Sequence, residues 1–134
     1  MKCSAEFLES YQSMHRALRR EDLEMRTIKI DEQFTLTIRL NRSLWIAFEI
    51  LAEEAKGNIG WEEYIISYWE YRNLTPDQVD GFIDELIAYI LDDDEIGQQE
   101  EMGYANDNLR YLPYLFKYPE WMRYSSLKRE HLRG

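Results

Sequence analysis

The stretch Phe34-Thr35-Leu36-Thr37-Ile38-Arg39-Leu40 alternates strictly between apolar and polar residues, and two helical patterns follow it at once. A period of two is that of a half-buried strand. Phe34, Leu36, Ile38 and Leu40 are expected to face a core, and Thr35, Thr37 and Arg39 to point away from it. From Ser43 to Lys56 the period becomes helical, with Leu44, Trp45, Phe48, Leu51, Ala52 and Ala55 on one stripe. Gly57 is placed to end that helix in a left-handed conformation. Asn58-Ile59-Gly60 makes a turn, and a second helix is predicted from about Trp61 to Tyr71, with Trp61, Tyr64, Ile65 and Tyr68 on one face. One strand and two helices bury too little alone, and a lone strand leaves both edges unpaired. Antiparallel pairing of Phe34–Leu40 with the same segment of a second copy solves both problems. The expectation is a mainly α homodimer whose core holds Phe34, Leu36, Ile38, Leu40, Trp45 and Phe48. One face of the paired strands stays outside and carries Thr35, Thr37 and Arg39.

The flanks add helices. Ser4 to about Arg20 reads as a helix, with Phe7, Leu8, Tyr11, Met14 and Leu18 at helical spacing and Ser4 as the cap. His15, Arg16, Arg19 and Arg20 fall beside that stripe, either near a bound polyanion or as a solvated face. Glu21 to Gln33 is mixed; Met25, Ile28 and Ile30 suggest a short strand or an extended approach. Thr75-Pro76-Asp77 is a helix start: a capping threonine, proline at the first position and acid in the first turn. Val79, Phe82, Ile83, Leu86, Ile87 and Ile90 follow at helical spacing. Residues 92–108 read as an acidic loop. The tail from Tyr111 is broken by Pro113 and Pro119 into short helices. No internal repeat is evident. The organisation is therefore an N-terminal helix and connector (1–33), a strand-helix-helix segment (34–72) and an acidic helical accessory region with a basic aromatic tail (73–134).

The net charge of −10 is unevenly spread: −3 over residues 1–72, −11 over 73–109 and +4 over 110–134. Such a balance argues against a general nucleic-acid coat. It leaves room for a sequence-specific binder whose basic groups share one face.

The segment FTLTIRLNRSLWIAFEILAEEAKGNIGWEEYIISYW resembles the ribbon-helix-helix domain of the Arc and MetJ repressors. It is most similar to a bacterial subgroup with the approximate pattern T-x-I-x-L-x-x-x-[FL]-W-x-A-[LF]-x-x-[IL]-A. Thr37, Ile38, Leu40, Leu44, Trp45, Ala47, Phe48, Leu51 and Ala52 match it. The resemblance covers about residues 34–71. It implies a dimeric, sequence-specific transcriptional regulator whose two-stranded ribbon enters the major groove of double-stranded DNA. The base readers would be Thr35, Thr37 and Arg39. Arginine can bond guanine with two hydrogen bonds, and threonine can bond a base or touch a thymine methyl. The second helix's start, at Gly60 and Trp61, would hold a backbone phosphate with its N–H groups. Two departures bear on that clamp: Glu62 and Glu63 follow at once and repel phosphate, and the turn from Lys56 to Gly60 is about one residue longer than the pattern.

An enzyme is not expected. His15 and His131 lie near opposite ends, outside any metal motif such as H-E-x-x-H. Cys3 stands alone, so neither an internal disulfide nor a cysteine-based zinc site is available. Asp92-Asp93-Asp94-Glu95 fails as a calcium loop, because Ile96 and Gly103 occupy positions that need oxygen ligands. No metal or other cofactor is implied. The N-terminus lacks the apolar run of a signal peptide and no apolar run is long enough to span a membrane, which together suggest a cytoplasmic protein. The alternative function is a protein–protein interaction module, antitoxin-like or phage-inhibitor-like, whose acidic region binds a basic partner. The sign of the charge on the ribbon face separates the two.

Overall fold

The structure is a computed structural model that describes residues 4–55, 57, 59–93 and 110–133. Cys3, Lys56, Asn58 and the acidic stretch from Asp94 to Leu109 lie outside the described residues. Helix α1 (Ala5–Arg20) opens where Ser4 accepts the N–H of Phe7 at 3.0 Å, so the capping expectation holds. Strands β1 (Leu23–Lys29) and β2 (Thr35–Asn41) follow, then helices α2 (Arg42–Glu54) and α3 (Trp61–Arg72). A 3-10 turn at Pro76–Gln78 leads into α4 (Val79–Leu91), and a second one at Leu112–Leu115 precedes α5 (Pro119–Arg133). Among the described residues the architecture is thus mainly helical, with one two-stranded antiparallel sheet.

The expectation of one strand per chain is corrected. The alternating strand finds its partner inside the same chain, where β1 pairs antiparallel with β2 from Leu23↔Asn41 to Lys29↔Thr35. Both reasons for invoking a second copy are met internally. One edge of β2 is paired, and Leu36, Ile38, Leu40, Trp45 and Phe48 are fully buried within the single chain. Phe34 is partly buried and packs on Trp69 with ring centroids 5.9 Å apart.

The helices cover one face of the hairpin. α1, α2 and α4 all contact β2, and α5 packs along α1. One apolar cluster runs through all three segments read from the sequence. It joins Met14 and Leu18 of α1, Leu36, Ile38 and Leu40 of β2, Trp45 and Phe48 of α2, Phe82, Leu86 and Ile87 of α4, and Trp121 and Tyr124 of α5. Leu8, assigned to the apolar stripe of α1, is instead half exposed. β2 passes into α2 without a loop. The buried Asn41 makes this corner: its Oδ1 accepts the Ser43 N–H at 2.8 Å, while its Nδ2 donates to the Glu21 carbonyl and the Tyr118 hydroxyl, both at 2.7 Å. α2 ends at Glu54, two residues before the expected end. Gly57, at φ +95°, takes the left-handed conformation that glycine adopts without a Cβ penalty.

Candidate nucleic-acid interface

Side chains directly opposite one another in an antiparallel pair lie on the same face. The register therefore defines the outer face of the hairpin as the rows Met25/Arg39, Thr27/Thr37 and Lys29/Thr35, with Leu23 at the end. Every one of these residues is exposed. The inner face, built from Glu24, Arg26 and Ile28 of β1 with Leu36, Ile38 and Leu40 of β2, meets the helices. Thr35, Thr37 and Arg39 thus point outward as expected. They share that face with Met25, Thr27 and Lys29, which sequence reasoning had not assigned. The outer face carries two cations, three threonine hydroxyls, two exposed apolar side chains and no carboxylate. In a chain with 26 acidic and 16 basic residues, this face has the opposite sign to the whole.

Below the hairpin, Arg26 joins β1 to α2 and α3. The guanidinium lies over both indoles, 4.8 Å from the Trp45 ring centroid and 4.7 Å from that of Trp61, and the two rings meet edge to face with centroids 5.5 Å apart. It pairs through Nε with Glu24 and through Nη1 with Glu49, each at 2.8 Å. Trp45 also donates its indole N–H to the Glu24 carbonyl at 2.8 Å. The guanidinium thus combines cation–π contact with two indoles and ion pairs with two carboxylates.

Gly60 and Trp61 do not join the outer face. Trp61 meets the hairpin from below, through Arg26. Gly60 caps α3 without a side-chain bond, and Glu62 and Glu63 occupy the first turn. Those acids complement the positive end of the helix dipole directly. A cavity of about 400 Å³ at this point is lined by Glu49, Glu53, Ile59, Gly60 and Trp61. Glu49 and Glu53 there are paired with Arg26 and Arg110, while Glu62 and Glu63 make the start of α3 negative, the opposite of the electrostatics a phosphate clamp requires.

A second cavity, of about 390 Å³, lies between α1 and α5 beside Phe7, Tyr11, Tyr124 and His131. Its polar groups serve the fold. Tyr124 Oη and Lys128 Nζ both donate to the Leu91 carbonyl at the end of α4, the lysine at 2.5 Å. Burial, and then Asp92, push the Tyr11 phenol up to about 12. Three further arginines toward the two ends of the chain are also engaged. Arg19 pairs with Asp80 and Asp84, Arg110 with Glu53 and Glu54, and Arg123 with Glu9. Arg16 and Arg20 are exposed on α1. Among the described residues, no group of three or more His, Cys, Asp or Glu side chains is placed to hold a metal ion, and no helix is long and apolar enough to cross a membrane. Comparison of the chain with known protein families, curated proteins and solved structures found no match in any of the three.

Proposed function

We propose that this protein binds double-stranded DNA in a sequence-specific manner and regulates transcription, with the outer face of the β1–β2 hairpin laid in the major groove. The observation that carries it is the composition of that face: Thr27, Thr35, Thr37, Lys29 and Arg39 exposed together, without a carboxylate, on a chain of net charge −10. The major groove admits a two-stranded ribbon. Arg39 and Lys29 suit guanine O6 and N7, and the threonines suit either a polar base edge or a thymine methyl. The acidic remainder of the molecule works in the same direction. Non-specific affinity is essentially a Lys/Arg–phosphate term, so negative flanks suppress it and leave the base contacts to discriminate.

Arg39→Ala tests this. Arg39 is exposed on the outer face, so the variant is expected to keep the parent's thermal midpoint. It is expected to lose on the order of 1–3 kcal/mol of binding to a duplex selected by the parent. Equal affinity of variant and parent for that duplex would exclude base readout by β2.

One observation favours a different class of partner. Glu62 and Glu63, exposed in the first turn of α3 next to Trp61, form a negative surface suited to a cationic side chain of a basic protein. Charge reversal at Glu49 or Glu53 would disturb Arg26 or Arg110, so Glu62→Lys with Glu63→Lys is the appropriate probe. If that pair abolishes a protein interaction while DNA binding is absent in the parent, the interaction-module reading replaces the first.

A further inference from the structure

The hairpin carries a repeat too short to stand out in the linear sequence. Thr27-Ile28-Lys29-Ile30 and Thr37-Ile38-Arg39-Leu40 share the order threonine, isoleucine, cation, aliphatic. The register makes this repeat geometric. Thr27 lies directly opposite Thr37, and the pair forms the middle row of the outer face. A local two-fold axis through that row exchanges the strands of an antiparallel pair. It therefore maps Lys29 onto Arg39 and Ile28 onto Ile38. Lys29 sits beyond the middle row at one end, opposite Thr35, and Arg39 sits beyond it at the other end, opposite Met25. The two cations belong to different strands and lie on a diagonal of the exposed face. Four residues of strand separate their rows, roughly 13 Å at 3.3 Å per residue.

We infer that a single chain presents a pseudo-two-fold ribbon, so that one molecule reads a short quasi-palindromic DNA core, with Lys29 and Arg39 as the equivalent readers of its two halves. The inference rests on the DNA-binding reading above and adds to it the stoichiometry, a second specificity-determining residue and the symmetry of the target. Two guanines, one on each strand, suit the two cations. The row spacing puts them roughly four base-pair steps apart at 3.4 Å per step. Thymine methyls or polar base edges between them suit the central threonine pair. The symmetry is imperfect where Met25 stands against Thr35, and the target core is expected to be imperfect at the outer positions in the same way.

The experiment is selection of bound duplexes from a pool with a randomised core, using the full-length parent, Lys29→Ala and Arg39→Ala. Sedimentation of the complex with the parent's selected duplex then gives the number of chains per core. The expected results are a quasi-palindromic core, one chain per core, and loss of preference at one guanine in each variant, on opposite strands. The discrimination at that position should fall roughly 5- to 150-fold, as for loss of one bidentate base contact. Both residues are exposed, so folding of the variants is checked only by an unchanged thermal midpoint. Two chains per core, or Arg39→Ala relaxing both halves while Lys29→Ala relaxes neither, overturns the single-chain ribbon but leaves DNA binding intact. Failure of the parent to enrich any duplex overturns DNA binding itself.

Discussion

Arg26 shows how much one side chain determines here. It stands on the inner face of β1, where an apolar residue would be the ordinary choice, and is mostly withdrawn from solvent. Its two indole contacts tie β1 to α2 through Trp45 and to α3 through Trp61. Arg26→Met retains the length and apolar stem and removes the cation. The expected cost is about 2 kcal/mol, that of a desolvated cation–π contact, read as a lower urea midpoint with a shift in tryptophan emission. Arg26→Lys should recover only part of the loss, because an ammonium cannot stack as a plane or bond both carboxylates in its plane. A parent-like midpoint for Arg26→Met would mean the stack forms without stabilising the fold. The inward charge also explains why β1 was hard to read in the sequence. Its inner positions are Glu24, Arg26 and Ile28, and its apolar Leu23 and Met25 face outward. The alternation that marks β2 so plainly is absent from β1, because Trp45 and Trp61, far along the chain, make its inner face suitable for a charge.

At the scale of elements, the helices were legible and the pairing was not. Ser4 and Thr75-Pro76 act locally, through caps and backbone preference, and a local signal survives in one sequence; Gly57 takes its left-handed conformation, but α2 already ends at Glu54 with Ala55 as an extended cap. Whether β2 pairs with another copy or with its own chain depends on a loop. That loop is short: the Ile30 and Asp31 N–H groups both point to the Phe34 carbonyl, at 3.0 and 3.3 Å. The Asp31 carboxylate accepts the N–H groups of Gln33 and Phe34, both at 2.8 Å. An aspartate bonding backbone two and three residues on is a turn signal in its own right. It identifies the hairpin that the mixed composition of residues 21–33 obscured. The outer face followed the same pattern. Thr35, Thr37 and Arg39 were assigned from β2 alone, whereas Thr27 and Lys29 became visible only once the strands were in register. Asp31→Ala is expected to lower stability by about 1 kcal/mol, the net worth of such backbone bonds. It should also loosen the register on which the alignment of Lys29 with Arg39 depends. Amide exchange at Thr27 and Thr37 is the direct measurement; unchanged protection there would show that side-chain packing alone holds the strands in place.

At the scale of the molecule, the basic tail returns to the front of the chain and closes on the hairpin corner. Tyr118 is the pivot: its hydroxyl accepts from Asn41 and donates to Asp22 at 2.9 Å, while Lys117 reaches the same carboxylate at 3.0 Å. Asp22 holds the turn from α1 into β1 at φ +49° and its carbonyl accepts the Arg42 N–H at 2.8 Å, so both the tail and the start of α2 meet it. The Lys117 ammonium first, then the Tyr118 hydroxyl, keep the Asp22 carboxyl below its ordinary 3.8. A folded pKa below the unfolded one gives stability that is present above the unfolded value and is lost as pH falls through the folded one. The contact should therefore act at neutral pH and fade only in the acid range. Asp22→Asn preserves the left-handed turn, which asparagine tolerates, and cannot titrate. Its urea midpoint is expected to lie below the parent's at neutral pH and to converge on it as pH falls through about 4 and below. The difference will be modest, because both charged partners are about half exposed and solvent screens them. A constant gap between variant and parent across that range would assign the effect to turn geometry rather than to the ion pair. Convergence would show that the ionised Asp22 carboxylate stabilises the join of the tail to the hairpin corner, beside the apolar packing of Leu115 and Tyr118 and the Asn41–Tyr118 bond that do not titrate with it.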